Sequence, residues 1–160
     1  MEALIKYKKV LFAFGIALIA LSFILVLNRQ ENVLKEEVSL WVQEEKVLVF
    51  EVVDSPRERV LGLSGREKLA DGVGMLFVFD TPDIHGIWMK DMLISIDIVW
   101  LDEKFRVVNF KENVSPDTYP TAFTPASPAL YVIEANVGFV EQFDVKIGEI
   151  LEIKKQAIEK

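Results

Sequence analysis

Val10 to Leu27 reads VLFAFGIALIALSFILVL, 18 residues with no charge and no strongly polar group. A run that is apolar on every face is poorly suited to half-exposure on a globular domain. At 1.5 Å per residue a helix of this length covers about 27 Å, close to the roughly 30 Å of a bilayer's hydrocarbon core. Lys6, Lys8 and Lys9 precede the run and only Arg29 follows closely. That cationic excess predicts a single-pass cell-membrane protein: residues 1–9 in the cytoplasm, an anchor at 10–27 and the rest of the chain outside. The rival reading is a cleaved signal peptide ending at Ala20-Leu21-Ser22. The apolar run continues five residues beyond that site, which favours the anchor.

The remainder has the composition of one folded domain. The chain has 160 residues, 51% of them apolar and 27% charged, so it is neither disordered nor large enough for two cores. Net charge is −7, and because residues 1–29 carry +3 the rest carries −10. Nucleic acid is therefore not an expected partner. With no Cys and one His, thiolate zinc sites, disulfides, a Cys nucleophile and His-cluster metal sites are excluded. No cofactor and no metal site are expected.

Residues 28–45 place Val33, Leu34, Val38, Trp41 and Val42 at helical spacing among Glu and Lys. The spacing predicts an amphipathic stalk helix. The folded domain is expected over 46–153, followed by a polar tail, 154–160. KVLVFEVVD, from Lys46, reads as a strand. Ser55-Pro56-Arg57-Glu58 is a helix start, with a Ser cap, Pro at the first position and Glu closing the S-x-x-E box. Met75–Phe79 is a continuous apolar run that fits a strand buried on both faces. Along Ile94–Leu101, Ile94, Ile96, Ile98 and Trp100 share one face and Ser95 and Asp97 the other. Phe105–Phe110 would pair back on it. Pro116, Pro120, Pro125 and Pro128 mark a long loop. Leu130–Ala135 and Ile150–Ile153 are further strands, with a short helix at Phe139–Phe143. Strands with short inserted helices and no βαβ alternation predict a single compact α+β domain, rich in β. A small barrel-like antiparallel or mixed sheet is expected, preceded by one transmembrane helix.

Nucleophile-elbow, phosphate-loop and dinucleotide-fold signatures are absent. What stands out is D-S-x-x-E-R-x-x-G-L-x-x-R from Asp54, then G-M-L-F-V-F from Gly74, then W-M-K at Trp88, then I-x-x-D-I ending at Ile98. In order and spacing these resemble the domain of unknown function 192 family, from about Val49 to Ile153. The resemblance implies a small β-rich domain, often behind a signal or anchor segment, with no established activity. The matching positions are Asp54, Glu58, Arg59, Gly62, Leu63, Arg66, Gly74, Met75, Trp88, Met89, Lys90 and Asp97. The chain departs at Asp91-Met92, where the family usually reads Asn-Thr, and at Ser95, where Pro is common.

Asp54, Glu58, Arg59 and Gly62 read as a structural motif that locks the helix to the sheet. Trp88 and Met89 alternate, so one faces the core and the other is free to floor a groove. Lys90 and Asp97 on adjacent strands form either a register-fixing ion pair or, with Arg66 and Trp88, a polar ligand site. Arg66, Trp88, Lys90 and Asp97 are thus the candidate ligand-binding residues, and no residue is singled out as catalytic. The function expected is a ligand- or partner-binding module of the cell envelope, taking a small polar ligand or an envelope protein. The alternative is a small envelope hydrolase using paired carboxylates such as Asp54 and Asp97 on a glycosidic bond.

Overall fold

The computed structural model describes residues 35–158, apart from position 43. Within these residues nine strands, two short α-helices and one 3₁₀ turn (Pro116–Thr118) follow in chain order. The strands and helices are β1 (Lys35–Val42), β2 (Glu45–Val53), α1 (Pro56–Leu61), β3 (Val73–Asp83), β4 (Ile87–Trp88), β5 (Ile96–Leu101), β6 (Val107–Val114), β7 (Ala122–Phe123), β8 (Ala129–Asn136), α2 (Phe139–Gln142) and β9 (Glu152–Ile158). Seven strands form one sheet in the order β6-β5-β8-β3-β2-β1-β9, and β4 with β7 makes a separate two-stranded ribbon. β2 and β3 are parallel, with α1 in the connection between them, while β1–β2, β3–β8, β5–β8 and β5–β6 are antiparallel. The domain is α+β and rich in β, with a mixed sheet and short helices. Its far ends approach one another. Arg106 bridges Ile150, and Val107 N and Leu151 N donate to Glu149 O and Phe105 O at 2.8 and 3.0 Å.

Both faces of the sheet are covered, which explains why Met75–Phe79 reads as a continuous apolar run. One face carries Val53, Met75, Phe77, Ile98, Trp100 and Val132 beneath the loops that hold Leu63, Ile87, Met89 and Met92. The other packs Phe50, Leu76, Val99, Leu101 and Ile133 against Phe139 and Val140 of α2. Trp100 is fully buried, and its indole N–H finds a partner in His85 O at 2.9 Å, as a buried indole requires.

The helix start at Ser55 forms as expected. Ser55 Oγ accepts from Glu58 N at 3.3 Å and Ser55 N donates to Glu58 Oε2 at 3.2 Å, with Pro56 at the first position. Ser55 Oγ also donates to Glu58 Oε2 at 2.6 Å, and this bond, with the one from Ser55 N, holds the exposed Glu58 carboxyl below its usual range.

Three expectations are corrected. The stretch read as an amphipathic stalk is a strand from Lys35. Strand β1 pairs antiparallel with β2, turning at Glu44, whose φ is 67°. Five apolar residues in so short a stretch fit either period, and pairing with the Val-rich β2 decides the matter. The segment from 154, expected to be a polar tail beyond the folded domain, continues β9 as far as Ile158, beside β1. The single-pass arrangement, with an anchor at 10–27 and the domain outside the cell, is also corrected. Among the described residues no helix is long and apolar enough to cross a membrane, and the segment itself lies outside the described residues.

Candidate ligand-binding site

The sheet register lays Glu51, Met75, Glu134 and Ile98 side by side across β2, β3, β8 and β5. Neighbours in register point to the same face. Glu134 therefore rises from the middle of the sheet into the layer under α1. It is 5% exposed, and its Oε2 is buried with no hydrogen-bond partner. Burial pushes its carboxyl up to about 8, an effect that the charge of Arg66 partly offsets.

The lid over Glu134 is built from the segment that follows α1. Gly62 ends the helix at φ 49°, ψ −131°, with its N–H on Glu58 O at 2.8 Å. This is a conformation open to glycine. A Cβ there would stand 3.3 Å from Phe77 Cζ and 4.0 Å from Glu134 Oε2. Gly62 is thus more than a helix stop, because it lets the backbone lie directly over the buried acid. The next turn is latched to the loop after β4. Ser64 Oγ donates to Lys90 O at 2.9 Å and Gly65 N to Asp91 O at 2.8 Å. Between these pieces is a cavity of about 50 Å³, lined by Gly62, Ser64, Phe77, Ile87, Trp88 and Glu134 among others. That is room for a compact polar group but not for a sugar ring, since sites for whole small ligands run to hundreds of Å³. Its mouth is apolar: Val60, Leu61 and Trp88 line it and are 65%, 62% and 46% exposed. Tyr119 meets Trp88 edge-on at 6.2 Å between ring centroids.

Two arginines stand by the cavity, and both are engaged. Arg59 donates to Asp54 O, to Val78 O at 2.7 Å and to Asp80 Oδ2 at 3.3 Å, and lies 5.2 Å above the Phe79 ring. It pins α1 to β3. Arg66 makes a two-pronged pair with Glu51, both contacts at 2.6 Å. The pair lowers the Glu51 carboxyl and raises the Arg66 guanidinium relative to their ordinary values.

Of the four candidate residues, Trp88 lines the cavity, Arg66 acts on Glu134 through its charge, and Lys90 and Asp97 stand elsewhere. Lys90 is exposed, and what it gives the site is its backbone carbonyl. Asp97 is 1% exposed on the opposite face of β5. Its Oδ1 accepts from Asn113 N at 2.8 Å, and its Oδ2 accepts from Gly138 N at 3.1 Å and Val140 N at 3.0 Å. The expected Lys90–Asp97 pair does not form. The face read as polar is roofed by α2, and Asp97 is the acceptor that holds the start of that helix. Met89 is buried and Trp88 exposed, as their alternation implies.

Glu134 belongs to none of the sequence motifs. Its signal is a single acid between Ile133 and Ala135, inside a strand with apolar residues on both faces. Among the described residues no three acidic or His side chains gather in a way that could hold a metal ion. A larger hollow of about 360 Å³ lies between the Asp71–Val73 turn and α2. The unpartnered buried oxygen faces the smaller cavity instead.

Curated proteins similar to this chain include a UPF0127 protein of Thermococcus gammatolerans, 42% identical over 105 residues, which are 63% of each chain. A UPF0127 protein of Thermococcus kodakarensis is 38% identical over 100 residues, 62% of this chain and 61% of that one. The chain thus spans a little under two thirds of the length of these relatives. Among solved structures, a Sinorhizobium meliloti protein provisionally named a transcription regulator superposes with TM-score 0.67 at 28% identity, over 74% of this chain and 94% of that one. A Novosphingobium aromaticivorans protein of unknown function gives TM-score 0.65 at 29% identity, over 72% and 83%. The family described as DUF192, Uncharacterized ACR, matches residues 38–153, and with nearly three quarters of its length inside that match the chain belongs to the DUF192 family.

Proposed function

We propose that this DUF192 domain is a binding module whose site is the Glu134 cavity, and that it receives one compact polar group of a larger ligand. The observation that carries the reading is the partnerless Glu134 Oε2, fully buried and facing a hole of about 50 Å³. A buried oxygen without a partner forfeits about 1–3 kcal/mol, and a ligand donor would restore it. The apolar mouth at Val60, Leu61 and Trp88 suits the part of the ligand that stays outside. The hydrolase alternative has less support. Both oxygens of Asp97 are occupied by main-chain N–H groups, so that carboxylate is not free to act with Asp54 on a bond.

The test is amide and indole NMR of the full chain against small alcohols, amides, carboxylates and alkylammonium salts, with Glu134→Gln and Trp88→Ala in parallel. Saturable shifts at Gly62, Ser64 and the Trp88 indole, weakened in both variants, are expected for at least one class. No shift at those positions from any class up to tens of millimolar would overturn the reading.

A further inference from the structure

Resting on that reading, we infer that the compact group is a primary ammonium: an alkylamine whose N–H₃⁺ donates to Glu134 Oε2 while its apolar stem lies along Trp88, Val60 and Leu61. Charge selects the head. Arg66 is balanced by Glu51 and Arg59 by Asp80, which leaves the Glu134 carboxyl as the group without a counter-ion. An anionic ligand would place its charge beside an acid that then cannot ionise, with both nearby arginines already engaged. A cation there completes a buried pair. Size selects the same head, because about 50 Å³ takes an ammonium and its first methylene more readily than a planar guanidinium. The mouth selects the stem. Three exposed apolar side chains border it, and the Trp88 ring, with Tyr119 edge-on to it, offers an aromatic face that attracts cations and alkyl chains alike. This chemistry is shared by free alkylamines and by the lysine side chain of a peptide.

The charge pairing gives the inference a pH signature. The groups that face Glu134 are Arg59 from α1, Arg66 from the following loop and Glu51 beyond it on β2. Its strand neighbours Met75 and Ile98 do not titrate. The loops packed above carry Lys90, which is exposed, and His85, whose ring stacks on Phe79 at 3.6 Å and whose Nε2 meets Thr81 O at 2.9 Å. With its carboxyl held at about 8 by burial, Glu134 must release a proton as the ammonium enters. Amine affinity should then rise with pH up to about 8. A neutral acceptor held by the protonated acid would show the opposite trend.

The experiment titrates the full chain, in amine-free buffer, with n-butylammonium and with Nα-acetyl-lysine N-methylamide, against n-butanol and butyrate as controls. NMR and calorimetry are the readouts, at pH 6.5 and 8.5. Both amines should bind and both controls should not. Affinity should be about 20- to 30-fold weaker at pH 6.5, and about 10- to 100-fold weaker in Glu134→Gln. Trp88→Ala should weaken binding as well, while His85→Gln should leave the pH profile unchanged. The lysine derivative binding more tightly than butylammonium would identify a peptide lysine as the source, and equal affinity a free amine. The ammonium assignment is overturned if butanol or butyrate binds as well as the amines, if amine binding survives Glu134→Gln, or if it tightens as pH falls. In the first of these outcomes the binding reading survives. If no probe of any class moves Gly62 or Trp88, an ordered water alone fills the hole and both readings fail.

Discussion

Replacing Glu134 with Gln should stabilise the protein at alkaline pH, by an amount that grows as pH rises. An acid held at about 8 in the folded chain, against 4.5 ordinarily, keeps its proton more tightly when folded. The cost that comes from its ionisation is therefore absent below pH 4.5. The cost accumulates as pH climbs through the interval and is complete above 8. At 1.36 kcal/mol per pH unit it is about 3 kcal/mol at pH 7 and about 5 kcal/mol above pH 8. Glu134 is buried deeply enough that solvent screening takes little from this figure. Gln keeps the shape but cannot ionise, and its own unpaired amide costs about 1–3 kcal/mol. The net gain expected at pH 8.5 is about 2–4 kcal/mol.

The assay is urea unfolding of the full-length parent and Glu134→Gln at pH 5.5 and 8.5, in amine-free buffer. The lower pH stays above the isoelectric point near 4.8, where solubility would fall. Other carboxyls titrate in both proteins, so the difference between them isolates Glu134. The stability gap should widen by about 3 kcal/mol between the two pH values, with m-values unchanged. A gap that moves by less than about 0.5 kcal/mol would refute the reasoning, because Glu134 would then ionise as freely in the fold as out of it.

Asp97→Ala should destabilise by at least about 3 kcal/mol in the same unfolding assay. It strips the acceptor from three main-chain N–H groups, and amide exchange should show Val140 losing protection. Gly74→Ala should cost about 1–3 kcal/mol in thermal or urea melts. Its Cβ would stand 3.1 Å from the Phe50 ring and 3.2 Å from Glu134 O. Arg66→Gln should lower stability by less than about 1 kcal/mol, since the Arg66–Glu51 pair is part-exposed. The same change should move the titration of Glu134 upward, read from its carboxyl carbon by NMR, because Arg66 holds that group down.

How far the fold was legible depended on whether a local pattern had one physical reading. Met75–Phe79 was readable because an apolar run too short for a helix fits a strand covered on both sides, and Ile94–Leu101 because its apolar residues alternate along the chain. Ser55 was readable because the capping box is completed within four residues. The stretch through Val38 and Trp41 was ambiguous, and the sheet edge of β2, remote from any local signal, decided it. Asp97 was misread for a related reason. Alternation along β5 shows which residues share a face, but not that α2 roofs the second face. Lys90 then had no partner to meet.

The site was half legible for a different reason. Arg66 and Trp88 sit in a motif dense with unusual residues, so they attract notice. Glu134 is one acid in an apolar strand, and nothing near it in sequence explains it. Its meaning lies in what the fold sets around it: Gly62 without a side chain above, Met75 and Ile98 on either side, and Arg66 already engaged by Glu51. Together they leave the acid largely uncompensated, Arg66 offsetting its burial only in part, although an apolar residue at position 134 would avoid the penalty altogether. About 3 kcal/mol at pH 7 is a large fraction of the 5–15 kcal/mol that keeps a domain folded. A cost of that size, concentrated on one atom facing one small cavity, is what the proposed ligand would offset on binding.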